Sequence, residues 1–110
     1  MKRVVDILIV GGGPAGLSAA VNAAARGKSC TVVSNALAHN PLYRAKQVDN
    51  YLGMRGMTGA AMLEAMHQEA EEAGAVFMEG RVLSILPMGE DFMTAGGNEM
   101  VESRRVILCT

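Results

Sequence analysis

Aromatic residues are nearly missing from this chain, which has two tyrosines, two phenylalanines and no tryptophan among 110 residues. Basic clusters are missing too: none is longer than a pair such as Arg104-Arg105, and the formal net charge is −1. Together these absences remove the stacking platforms and the positive field that a nucleic-acid binder needs. No apolar run approaches the roughly 20 residues that span a bilayer. The opening Met1-Lys2-Arg3 and the apolar residues after it look briefly like a secretory leader, but Asp6 interrupts the run and a glycine turn ends it, as in a mature fold. A soluble, cytoplasmic protein without a membrane segment is the expectation. Only two cysteines occur, Cys30 and Cys109, far apart and with no C-x-x-C. Each falls in an apolar strand-like run and reads as a packing residue, not as half of a disulfide or a redox pair. With histidine confined to His39 and His67 and no clustered cysteines, no metal site is expected.

What is present is small and apolar. Half of the residues are hydrophobic, nine are methionine and thirteen are glycine, enough for one domain with a modest core that alanine and methionine fill adaptably. The organising stretch is Asp6-Ile7-Leu8-Ile9-Val10-Gly11-Gly12-Gly13-Pro14-Ala15-Gly16-Leu17. Ile7 to Val10 is short, branched and bounded by glycine, which reads as a buried parallel strand. Gly11, Gly13 and Gly16 fit G-x-G-x-x-G. In that motif the first glycine makes the sharp turn, the second leaves room for a pyrophosphate against the backbone, and the third lets helix and strand approach. Pro14 suits a first helical turn, where its missing N–H costs nothing. The free amides and the positive end of the helix dipole then face the phosphates. Asp6 reads as a solvated carboxylate at the strand edge.

Ala15 to Arg26 continues as a helix with Leu17, Ala20, Val21 and Ala24 on one face, stopped by Gly27, and Ser29 to Ser34 as a second strand. Nucleotide-binding βαβ units usually carry an acidic residue at that strand's end for the ribose hydroxyls. Ser34 and Asn35 occupy the position here; neither is a carboxylate, both can hydrogen-bond a ribose, and Asn35 serves equally as a turn residue. Ala36 to Asn50, with Pro41, has no period and reads as a long loop, closed by Val48-Asp49-Asn50-Tyr51-Leu52-Gly53. His39 lies in it without a visible partner. Thr58 is a plausible N-cap for a helix from Gly59 to Ala73, with an apolar stripe of Leu63, Met66, Ala70 and Ala73 and with Glu64, Gln68, Glu71 and Glu72 on a solvated face. Gly74 stops that helix, and Val76 to Met78 gives a third parallel strand.

From Arg81 the texture changes. Val82 to Met88, Asp91 to Ala95 and Glu99 to Ser103 are extended runs separated by Gly89-Glu90 and Gly96-Gly97-Asn98, an antiparallel meander. Arg105 to Cys109 then reads as a separate apolar strand rejoining the parallel sheet. With no covering element after Thr110, the expectation is a truncated domain. The fold class is α/β: a Rossmann-like parallel sheet with crossover helices and an antiparallel β-meander, as in an incomplete FAD/NAD(P)-binding domain.

At this level of detail the chain resembles the N-terminal FAD-binding part of the low-molecular-weight thioredoxin reductases and their relatives, among the flavoproteins with two dinucleotide-binding domains. Four stretches carry the likeness: Asp6 to Ala20, Val48 to Gly53, Met57 to Leu63, and Val106 to Thr110. The last is similar to the family's Ile-Ile-Ala-Thr-Gly, with Cys109 in place of an alanine. His39-Asn40-Pro41 departs from the Gly-Gly-Gln common in the family. The resemblance implies FAD as cofactor. Gly11, Gly13, Pro14 and Ala15 would lie at its pyrophosphate with Gly16 completing the motif, Ser34 and Asn35 by the adenosine ribose, Arg81 and Val82 beside the adenine, and Asn50 near the flavin ring. It also implies an NAD(P)H-binding domain with a C-x-x-C outside residues 1 to 110, a redox partner such as a thioredoxin-like protein, and a homodimer. No catalytic residue falls within this stretch, and by itself it is expected not to turn over substrate. The competing reading is a non-catalytic NAD(P)- or ADP-binding module, with a purely structural α/β fragment behind it; the meander and the Asn50 loop favour FAD.

Overall fold

A computed structural model describes residues 2–97 and 99–110. The chain runs β1 (Lys2–Val10), α1 (Pro14–Ala25), β2 (Cys30–Ser34), two short 3-10 turns (Leu37–His39 and Pro41–Arg44), α2 (Gly59–Ala73), β3 (Val76–Glu79), β4 (Val82–Met88), β5 (Asp91–Gly96) and β6 (Glu99–Leu108). The described strands form one six-stranded sheet in the order β3-β2-β1-β6-β5-β4. Strands β3, β2, β1 and β6 are parallel to their neighbours, while β6-β5-β4 is the antiparallel meander. The α/β class with a parallel sheet, crossover helices and meander is therefore observed.

Ile9, Cys30 and Val32 project from one face of the parallel strands and pack with Leu17, Ala20 and Ala23 of α1 and with Leu63 and Ala70 of α2. Leu8, Val33 and Met78 project from the other, where Val101 of β6 and the partly buried Val82 of β4 meet them. Leu8, Ile9, Val32 and Leu63 are fully buried, each contributing about 1.5–3 kcal/mol by leaving water. The meander thus covers the face that the helices do not. Thr31, Thr94 and Ser103 bring buried hydroxyl oxygens that have no hydrogen-bond partner among the described residues.

The helix expected from Gly59 to Ala73 forms with those limits; Thr58 accepts from the Ala61 N–H at 3.1 Å and Gly74 closes it in the left-handed region. Its buried stripe differs from that expected: Met62 is buried with Leu63 and Ala70, Met66 is half-buried and Ala73 is exposed. The expected structureless loop from Ala36 holds the two 3-10 turns, and an antiparallel bridge of Val48 to Met57 ties its far end. The first strand begins at Lys2 and not at Ile7, since β6 pairs with it from Lys2↔Met100 to Val10↔Leu108.

The larger correction is that Glu99 to Ser103 and Arg105 to Leu108 are one strand. Arg104-Arg105 does not break it: Glu99 to Ser103 pairs with β5 while Met100 to Leu108 pairs with β1, so the meander and the parallel sheet share a strand. Val5 and Val106 are partly buried and pack against the cluster of Leu8, Val33, Met78 and Val101. Asp6 also departs from its expected place. Expected as a solvated edge carboxylate, it lies inside the central strand and accepts from the Ser29 N–H at 2.9 Å and the Ser29 hydroxyl at 3.1 Å, while its own N–H donates to Ser29 Oγ at 2.9 Å. These bonds, the backbone one first, hold its carboxyl below the ordinary carboxylate range. Cys30 is buried and Cys109, just past β6, is half-buried and outside any strand; both are free thiols.

Candidate functional site

The C-terminal ends of β1, β2 and β6 and the start of β4 converge on a cleft of about 420 Å³. Its floor is the glycine turn. Gly11 has φ +112°, and a Cβ there would run into the Cys109 carbonyl, which is locked in place because the Cys109 N–H donates to the Val10 carbonyl at 2.8 Å. A Cβ on Gly16 would strike the Gly11 carbonyl, so α1 lies directly on the turn. Gly12 is equally confined, by Ser34 Oγ. Gly13 differs: it is the N-cap of α1 with φ −82° and ψ −170°, a conformation open to any residue, and the nearest side-chain atom to a Cβ there is Asn40 Nδ2 at 2.9 Å. Its glycine is therefore not needed for positive φ, and the room that a side chain there would take is bounded by the Asn40 amide.

Pro14 occupies the first turn of α1; no side chain caps the helix and no acidic residue lies in that turn. The helix dipole and the first-turn amides thus face the cleft end without an internal counter-charge. Among the described residues, those lining the cleft include Arg81 and no Asp or Glu side chain. Such a surface favours an anion.

Of the residues singled out in the sequence, Gly11, Gly13, Ser34, Asn35, Arg81 and Val82 line this one cleft. Pro14 and Ala15 stand just above it at the helix start, and Gly16 is buried beneath. Ser34 and Asn35 are on its β2 wall, with Ser34 Oγ donating to the Asn35 carbonyl at 2.9 Å. Gly80 closes the β3 side through its N–H to the Ser34 carbonyl at 2.9 Å, which brings Arg81 and Val82 opposite the glycine turn. Asn50 does not line the cleft. It is exposed on the loop beside Tyr51, and Tyr51 borders a smaller cleft of about 170 Å³ together with Pro14 and Leu17. Sequence reasoning missed Gly12, His39, Asn40 and Cys109 as cleft residues. The unbroken run of three glycines and the turn-forming Asn-Pro pair were the available signals for Gly12 and Asn40; Cys109 had none.

A protein-family model described as an FAD binding domain matches residues 6–40, the segment that builds the glycine turn and both strands beside it. The thioredoxin reductase of Aquifex aeolicus is 35% identical over 83 residues, covering 74% of this chain and 26% of that protein. That of Bacillus subtilis is 24% identical over 107 residues, covering 97% and 34%. Among solved structures, a thioredoxin reductase from Gloeobacter violaceus superposes with a TM-score of 0.91 at 27% identity, over 98% of this chain and 37% of the other. A ferredoxin-flavin thioredoxin reductase from Clostridium acetobutylicum superposes at 0.86 with 34% identity, over 98% and 38%. The chain is similar to these thioredoxin reductases along nearly its whole length. It spans between about a quarter and a third of the curated relatives it matches.

Proposed function

We propose that this thioredoxin reductase-like chain is the N-terminal part of an FAD-binding domain and serves as the flavin-holding portion of an oxidoreductase. The observation that carries the reading is the uncapped helix start over a glycine turn, in a cleft whose described lining residues include a guanidinium and no Asp or Glu side chain. Gly11, Gly13, Pro14 and Ala15 would receive the pyrophosphate of FAD, with Gly16 packing α1 onto the turn beneath it. Ser34 and Asn35 would hydrogen-bond the adenosine ribose in place of the usual carboxylate, and Arg81 and Val82 would flank the adenine. The cleft volume suits the nucleotide end of such a ligand. Asn50 lies beyond it, on the Pro14 and Tyr51 side, where the flavin end would extend. When bound, FAD supplies the two-electron chemistry; these residues bind and orient it.

By likeness to the relatives, electrons would pass from a nicotinamide nucleotide or ferredoxin donor to a disulfide-type acceptor such as a thioredoxin-like protein. The donor and acceptor sites are not among residues 1 to 110, which lack a second G-x-G-x-x-G and a C-x-x-C. Exposed Leu83, Leu86 and Met88 on the outermost strand β4 agree with packing against further protein. Among the described residues, no helix is long and apolar enough to cross a membrane. The test is flavin binding: the protein titrated with FAD should quench flavin fluorescence saturably, with ADP competing. A protein that binds NAD but not FAD would make it a nicotinamide nucleotide module instead.

A further inference from the structure

The loop after β2 presents a fixed carboxamide to the glycine turn. Asn40 is pinned at three atoms: its N–H donates to the Leu37 carbonyl at 3.0 Å, its carbonyl accepts from the Tyr43 N–H at 2.9 Å, and its Oδ1 accepts from the Leu42 N–H at 2.9 Å. The last bond decides the orientation of the amide, because a backbone N–H can only donate and so must face the oxygen. The NH2 group is thereby turned the other way. It stands 2.9 Å from where a Cβ on Gly13 would be, on the cleft wall, and donates to no acceptor among the described residues. Pro41 follows, and Asn40 has the extended backbone expected before proline, φ −76° and ψ 132°, so the loop holds this geometry without a ligand.

Resting on the FAD reading above, we propose that Asn40 is a phosphate-contacting residue: its Nδ2–H group donates to the pyrophosphate seated at Gly13. An anion suits the Gly13 backbone, which lies at the uncapped first turn of α1 with no Asp or Glu side chain among the described cleft-lining residues. An oriented amide donor at that place gives the anion a contact from the opposite wall of the cleft. Asn40 then has two roles on its two ends, a turn cap through oxygen and a ligand donor through nitrogen.

Asn40→Asp separates them. The carboxylate still accepts from the Leu42 N–H and is as good a cap as asparagine, but the donor becomes a negatively charged acceptor. Asn40→Ser also keeps a capping oxygen and removes the donor without adding charge. The probes are FAD, ADP and adenosine, titrated against wild type and both variants, with thermal melts to verify folding. The expected result is a loss of about 30-fold or more in FAD and ADP affinity for Asn40→Asp and about 10-fold for Asn40→Ser, with adenosine affinity unchanged and melting temperatures near wild type. Binding of FAD and ADP by Asn40→Asp within about 2-fold of wild type would overturn the proposal, as would an equal loss for adenosine. In both cases wild-type binding leaves the FAD reading standing; a wild type that binds neither FAD nor ADP sinks both.

Discussion

The same residue type is used for opposite reasons in the two turns of this chain. In the turn from Gly11 to Gly16 there is no space: side chains at Gly11, Gly12 or Gly16 would collide with the Cys109 carbonyl, Ser34 Oγ or the Gly11 carbonyl. In the loop from Val48 to Met57 there is nothing but space. Gly53 and Gly56 have φ +85° and no atom within 4 Å of a would-be Cβ. The first turn is glycine-rich because three chain segments converge there, the second because the backbone reverses on its own. Only in the first does a single methyl group translate into a displaced helix or strand.

Gly16→Val should sharpen that contrast most. It drives a branched side chain into the Gly11 carbonyl and forces α1 off the turn, and should destabilise the protein by about 3 kcal/mol or more, read as a lower urea midpoint together with lost flavin binding. Gly13→Val lies inside the same turn yet should behave differently. Its φ of −82° accepts valine and only the Asn40 amide must give way, so the fold survives within about 1 kcal/mol while FAD affinity falls by about 100-fold because the pyrophosphate seat is filled. If the valine variant retains flavin, or loses its fold first, the phosphate seat is elsewhere. Gly53→Ala should cost about 1 kcal/mol from left-handed backbone alone, with FAD binding unchanged; a cost as large as that at Gly16 would erase the contrast.

The smallest effect lies outside both turns. Bonds from Ser29 depress the Asp6 carboxyl, so the ionised form favours the folded state. The sign follows: its contribution is complete above the unfolded carboxylate pKa and fades as pH falls through the lower folded value. Asp6→Asn should therefore melt below wild type at neutral pH, with the gap closing on acidification below about pH 4. A gap independent of pH would mean that only the geometry of the Ser29 contact matters.

Much of this fold is written in short-range pattern. Thr58, Gly74 and the apolar period between them delimit α2 because capping and amphipathicity act within a few residues. Val82 to Met88 likewise stands out as β4 between its glycines. The glycine turn is legible for the same reason, as G-x-G-x-x-G between an apolar run and an alanine-rich one. Asn40 was not, since its Asn-Pro signature declares a turn but not what stands across the cleft.

By itself, then, the sequence determined the order of strands and helices, the turn beneath the cleft and the thioredoxin reductase-like character of the chain, all of which depend on neighbours within a turn or a strand. Tertiary structure decided what depends on partners far along the chain. It joined two apparent strands into β6, because β1 pairs with both stretches in one register, from Lys2↔Met100 to Val10↔Leu108. It gave Cys109 its place against Gly11 and turned the Asn40 amide toward Gly13. A local pattern states which conformations a segment favours; only closure of the chain on itself states which distant carbonyl, thiol or amide will share its space.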